Sequence, residues 1–205
     1  MLKDFLDRFN HKTTTWPERH KPVIDDVRAL IAARSPAEPI AVLDVGLGLA
    51  VKVIGRQNGF GRYQVVKRIE TALRRLPLPD YFYENFEAQE IADAFAGLPF
   101  RMTLADINPK LLKITAAQLG DVVEATITGD LTFAENPAFE SLRGRFDAVF
   151  CFATIGRLGN LQNRAAGMAN VASFLKPGGL LATDDPERST VLEPVAGHRM
   201  IYSRQ

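Results

Sequence analysis

The feature that most constrains this chain is the apolar run Ile40 to Leu43 leading into Asp44-Val45-Gly46-Leu47-Gly48-Leu49-Ala50. A short buried strand that breaks into a tight turn poor in side chains lets backbone N–H groups approach a nucleotide-like ligand. The third small position of that turn is Ala50, which still permits close approach. Composition sets the outer limits. With 205 residues, 46% of them hydrophobic, the chain has enough apolar surface for one full core, and 25 basic against 24 acidic residues leave a net charge of +1. That balance supplies no field for gathering a polyanion, so no nucleic-acid partner is expected. One cysteine excludes an internal disulfide, and neither a long apolar span nor a signal-peptide pattern is visible. A cytoplasmic, non-membrane protein is the expectation.

The region 1–38 reads as an N-terminal helical cover. Leu2, Phe5, Leu6 and Phe9 share one helical face, and Val23, Val27, Leu30 and Ile31 repeat the spacing after Pro22, with a polar link from His11 to His20 between them. The remainder, 39–205, reads as one α/β domain. Phe100 to Ala105 is a strand, and Asn108-Pro109 caps a helix whose buried face is Leu111, Leu112, Thr115 and Leu119 and which Gly120 closes. Val122 to Ile127 and the nearly all-apolar Phe146 to Phe152 are the next strands. A helix over Leu161 to Leu175 stops at Lys176-Pro177-Gly178-Gly179, Leu180 to Thr183 is a further strand, and Val191 to Val195 with Arg199 to Tyr202 suit an antiparallel edge hairpin. The alternation predicts a doubly wound, mostly parallel sheet. The segment 51–98 departs from it. Gly55, Gly59 and Gly61 interrupt any helix after the glycine turn, Val65, Val66, Ile69, Leu73 and Leu76 form a helical stripe, and a second helix is expected at about Tyr83 to Ala96. It reads as a helical insertion, placed as a lid.

Three carboxylates stand where successive parallel strands end: Asp44, Asp106 and Asp130. Strand carboxyl ends border the ligand crevice of such a sheet, so the three can converge on one molecule. Together, Asp44-x-Gly46-x-Gly48, Leu104-Ala105-Asp106-Ile107-Asn108, Gly129-Asp130-Leu131, Phe146-Asp147-Ala148-Val149 and Phe174 to Gly179 resemble the ordered motifs of class I S-adenosylmethionine-dependent methyltransferases, over about 150 residues from Ile40 to Thr183.

The resemblance implies a Rossmann-like methyltransferase fold, S-adenosylmethionine as cofactor, and a set of roles. Asp44 would orient the glycine turn and the amino end of the cofactor, and Gly46 and Gly48 would let the backbone lie against its methionine and ribose portions. Asp106, followed by Ile107, would accept from both ribose hydroxyls. Asp130 would bind the adenine amino group and Leu131 would offer its N–H to the ring, while Cys151 and Phe152 would wall the sulfonium from the acceptor. The insertion breaks the spacing of about 20 residues expected between a glycine turn and its ribose acid. Glu70 falls near that spacing, but its helical neighbours and its partner Arg74 make it a surface ion pair.

Methyl transfer demands alignment above all, with a base only where the nucleophile must lose a proton. No catalytic residue is legible: His11, His20 and His198 are candidates only if the chain ends fold over the crevice, and Trp16 reads as a packing anchor. One cysteine and three scattered histidines offer no metal site. Phe152-Ala153-Thr154 lacks the Asn/Asp-Pro-Pro-aromatic element of the methyltransferases that modify DNA bases. A small molecule is the first expectation for the acceptor and a protein side chain the second. Two other readings stand beside it, an inactive cofactor-binding partner protein and an NAD(P)-dependent oxidoreductase, although the latter would want a third glycine and a placed proton donor.

Overall fold

In a computed structural model, the described residues are 16–47, 50–51, 83–133, 136–184 and 191–205. The expected first helix, the stripe from Val65 to Leu76, Gly48, His11 and the Glu70–Arg74 pair lie outside them.

Helix α1 spans Trp16–Ala32. It starts earlier than the sequence reading allowed, because Pro17 fits the first helical turn, where its missing N–H costs nothing. Pro22 then sits inside the helix and removes one backbone hydrogen bond. Burial of Ile24, Val27 and Ile31 against the sheet offsets that loss.

Strand β1 (Ile40–Val45) is followed by the two-residue β2 (Ala50–Val51), which pairs antiparallel with β3 (Tyr83–Glu84). The ladder ties Glu84 to Ala50, so the chain re-enters beside the glycine turn. Helix α2 (Phe86–Phe95) begins on Asn85, whose side chain accepts from the Ala88 N–H at 3.0 Å. The sequence reading assigned this helix to an insertion or lid. Its Ala88, Ile91 and Phe95 are instead buried in the same core as α1, because their spacing presents one apolar stripe to the sheet. It is the crossover between β1 and β4 (Phe100–Asp106). Next come α3 (Pro109–Leu119), capped by Asn108 and closed at Gly120 as expected, β5 (Val123–Thr128), β6 (Phe146–Phe150), α4 (Leu161–Phe174), β7 (Leu175–Ala182), β8 (Leu192–Pro194) and β9 (Ile201–Arg204).

The main sheet has seven strands in the order β5-β4-β1-β6-β7-β9-β8. The first five are mutually parallel, and β9 and β8 complete the edge as an antiparallel hairpin. This is the expected doubly wound, mostly parallel sheet. Alternate residues of β1 enter opposite cores. Ile40 and Val42 join α1, α2 and α3 on one face, and Leu43 and Val45 join Met168, Val171 and Phe174 of α4 on the other.

The Lys176-Pro177-Gly178-Gly179 turn is not a break before the strand but a bulge within β7. Phe146 pairs with Leu175 and Ala148 with Leu180, so five steps on β7 oppose two on β6. A Cβ on Gly179 would stand 2.8 Å from the Phe146 carbonyl oxygen, which explains the glycine. Lys176 Nζ donates to both Asp147 oxygens at 2.9 Å, and Asp147 also accepts from the Ala41 N–H at 2.8 Å. These bonds tie three strands together at their amino-terminal side, opposite the ligand rim.

Candidate functional site

From β1 the chain moves outward through β4 to β5, then returns to the other side of β1 for β6 and β7. The order therefore reverses between β1 and β6. A doubly wound sheet opens its ligand crevice at such a switch point, outside the carboxyl ends of the strands. Asp44, Asp106 and Asp130 stand at that rim, on or just past β1, β4 and β5. Their strands are adjacent, with Asp44 opposite Leu104 and Asp106 opposite Thr128.

Asp44 is 2% exposed, and its Oδ2 has no hydrogen-bond partner among the described residues. Burial, reinforced by the nearby Asp106 carboxylate, pushes its pKa up to about 7, against the weaker opposing effect of the Val45 N–H. An orphaned, buried carboxylate oxygen at the rim suits a cationic ligand group. Asp106 accepts from the Asn108 N–H at 2.7 Å and from the backbone N–H of Leu47 in the glycine turn. Burial raises its pKa too, and these two N–H groups oppose the rise. The acid is thereby held against the turn.

Gly46 has φ +80°, a conformation that glycine adopts without strain. Its backbone N–H continues the ladder to the Ala105 carbonyl at 2.9 Å. A Cβ there would lie 2.1 Å from Thr154 Oγ1. The turn's bareness therefore serves the β6 exit loop: Thr154 Oγ1 donates to the Phe152 carbonyl at 2.9 Å and lies 3.3 Å from that of Gly46. Ala153, at φ +47°, takes up the strain of this tight return.

Asp130 spends one oxygen locally, Oδ1 accepting from both the Thr132 N–H and hydroxyl at 2.8 Å. The buried Asn170 of α4 fixes the same loop by donating to the Leu131 and Phe133 carbonyls, each at 2.9 Å. Leu131 is thus anchored in the core, while Ile107 and Phe133 stand 64% and 63% exposed beside the two acids. Phe133 went unmarked in the sequence because nothing in its spacing separates it from a core aromatic.

Cys151 and Phe152 reach the strand end as expected, but both are buried, Cys151 in the core on the α4 side and Phe152 in the core on the α1 side. Their side chains are packing groups. The ring that meets Phe152 is His20 of α1, stacked at 4.1 Å between centroids and 9° between planes. His20 is 1% exposed, and its Nε2 lies 3.5 Å from Asp184 Oδ2. Asp184, just past β7, also accepts from the Ala153 N–H at 2.6 Å. Glu87 of α2 is also buried, 8% exposed. Burial, then Asp44 and Asp184, hold its carboxyl well above the usual range, while Arg157 draws it down. Glu87 and Asp184 carry no sequence signal, since the one sits in the first turn of a helix and the other after a strand. His198, the other described histidine, is 2.9 Å from Asp26 beside a cavity of about 140 Å³ that is lined by none of these rim residues.

Among the described residues, no cluster of His, Cys, Asp and Glu could hold a metal ion, and no helix is long and apolar enough to cross a membrane. No family model matches the chain, and no curated protein does. Solved structures similar to it include the S-adenosylmethionine-bound amino pentose methyltransferase of calicheamicin biosynthesis from Micromonospora echinaspora, 20% identical at TM-score 0.48, over 90% of this chain and 56% of that one. The N-methyltransferase from Bradyrhizobium japonicum in complex with S-adenosylhomocysteine is 13% identical at TM-score 0.46, over 88% and 70% of the two chains. Magnesium protoporphyrin IX methyltransferase from Synechocystis, also with bound S-adenosylhomocysteine, is 14% identical at TM-score 0.44, over 89% and 71%. The chain spans about half the length of the first structures it matches.

Proposed function

We propose that this chain is a class I S-adenosylmethionine-dependent methyltransferase that methylates a small molecule. The observation that carries the reading is the placement of Asp44, Asp106 and Asp130 on one rim, at the carboxyl ends of adjacent strands beside the switch point of a doubly wound sheet.

The residues present suit the cofactor. Asp44, with an oxygen that is buried and without a partner among the described residues, would receive the ammonium of the methionine portion. Asp106, pinned by Leu47 and Asn108, would accept from the ribose diol, two oxygens matching two hydroxyls. The exposed Ile107 would offer the adenine an apolar face, and Asp130, in its Thr132-braced turn, would bind the adenine amino group. When bound, the sulfonium supplies an activated methyl group. The chain's own part is alignment: Thr154 against Gly46, and Asp184 on the Ala153 N–H, fix the β6 exit loop beside the place where donor and acceptor would meet.

Titration calorimetry with S-adenosylhomocysteine and, separately, NAD tests this reading. It expects heat of binding from the first and none from the second. The reverse result would replace it with the oxidoreductase reading.

A further inference from the structure

Asp184 uses its two carboxylate oxygens in two directions. Oδ1 accepts from the Ala153 N–H at 2.6 Å, and Oδ2 lies 3.5 Å from His20 Nε2. The first bond holds a strained residue. Ala153, at φ +47°, is a non-glycine residue in the left-handed region, a conformation that persists only where the surroundings impose it. Thr154, the next residue, fills the space where a Gly46 Cβ would stand. The β6 exit loop is therefore the support behind the glycine turn, and Asp184 holds that support from the end of β7. His20 reaches the same point from α1. Its ring lies flat on Phe152, the residue before Ala153, at 4.1 Å between centroids, and is 1% exposed. Stacking engages only the faces of the imidazole, and an apolar ring would supply it at less cost in desolvation. The approach of Nε2 to Asp184 is what stacking leaves unexplained.

Resting on the methyltransferase reading above, we infer that His20 is a positioning residue for the cofactor: through Asp184 it sets the β6 exit loop, and through Thr154 of that loop the glycine turn. Helix α1 is then part of the binding machinery and not only a cover over the core. The contact at 3.5 Å is longer than a hydrogen bond, and a shift of about half an ångström closes it to one. Contacts of this kind are long in an empty site and tighten when the ligand is in place. The coupling is reciprocal. If His20 biases the turn towards the form that binds, filling the site must change the surroundings of His20 in return. His198, paired with Asp26 beside a cavity that no rim residue lines, supplies the internal reference.

Two measurements on the full chain test this, and neither needs the natural acceptor. His20→Phe keeps a flat ring on Phe152 and removes the nitrogen, whereas His20→Gln gives up the ring and keeps an N–H donor. With each variant checked for a native circular dichroism spectrum, calorimetry with S-adenosylhomocysteine is expected to show the Phe variant binding about tenfold more weakly and the Gln variant recovering most of that loss. A Phe variant that binds as tightly as the unmodified chain overturns the inference, because stacking is then all that His20 supplies. A Gln variant that binds no better than the Phe variant overturns it as well. The second measurement uses the unmodified chain with its three histidines labelled with nitrogen-15, their ring signals assigned by elimination with His11→Gln and His198→Gln. Saturation with S-adenosylhomocysteine is expected to move the His20 signals and to leave those of His198 in place. His20 signals that move no more than those of His198 overturn the inference even where a His20 variant does not fold. No binding of S-adenosylhomocysteine to the unmodified chain would instead defeat the methyltransferase reading on which it rests.

Discussion

Thr154 Oγ1 lies 2.1 Å from the point where a Cβ on Gly46 would sit. Two strand ends on either side of the switch point are thus locked by the absence of one side chain. Gly46→Ala is expected to lower stability by about 2–4 kcal/mol, combining the cost of a left-handed backbone with overpacking. The double variant with Thr154→Ala should recover part of this loss but not all, because Thr154 Cβ itself stands 2.8 Å from the added atom. Chemical denaturation of the three proteins checks the order.

Asp44 makes stability depend on pH in a stated direction. Its proton is held in the folded state up to about pH 7, whereas an unfolded aspartate releases it near 3.8. Between those values the folded chain binds more protons, so stability is fully present below the lower value and is lost as pH rises towards 7. Thermal melts of the unmodified protein should therefore fall across this window. Asp44→Asn should flatten the slope and melt higher than the unmodified protein at pH 8, by an amount on the order of 1–4 kcal/mol in stability.

Asp147 is expected to matter for folding and not for ligand. It joins Lys176 in the β7 bulge to the backbone of β1 at the sheet edge opposite the crevice. Asp147→Ala should cost about 1–3 kcal/mol, the scale of leaving those donors without an acceptor. Its affinity for S-adenosylhomocysteine should stay unchanged, and calorimetry beside a denaturation curve separates the two effects.

Asn170 acts at a distance on the loop that carries Asp130. Removing its two bonds in Asn170→Ala strands the Leu131 and Phe133 carbonyls and loosens the turn. A loss of about 1–3 kcal/mol in stability is expected, accompanied by weaker binding of S-adenosylhomocysteine. A stability loss with full affinity would show that Asp130 does not depend on this anchor.

Elements whose signals are local were legible in the sequence. The β-branched and apolar run of β1, the Asn108-Pro109 cap of α3 and the spacing of strands past Phe100 needed no knowledge of the rest of the chain. The rim carboxylates were legible for the same reason, since strand ends can be read from strand patterns. What failed depended on tertiary contact. The stripe of Ala88, Ile91 and Phe95 announced a helix but not that it faced the sheet rather than a lid. Lys176 to Gly179 looked like a stop because a bulge is defined only by its partner strand. Trp16 to His20 reads as part of a polar link because Pro22 argues locally against the helix that surrounds it. Cys151 and Phe152 were placed correctly along the strand, yet their burial follows from α4 and α1 lying over them. His20, Glu87 and Asp184 come from three separate segments, and no spacing joins them.

The most direct measurement of the central claim is the affinity of S-adenosylhomocysteine for the unmodified chain and for Asp106→Ala, by calorimetry at neutral pH. The account predicts binding that weakens by about 1–3 kcal/mol in the variant, the scale of hydrogen bonds to a charged acceptor. Equal affinity in the two proteins would contradict it, for then the ribose would not be held by the acid at the end of β4.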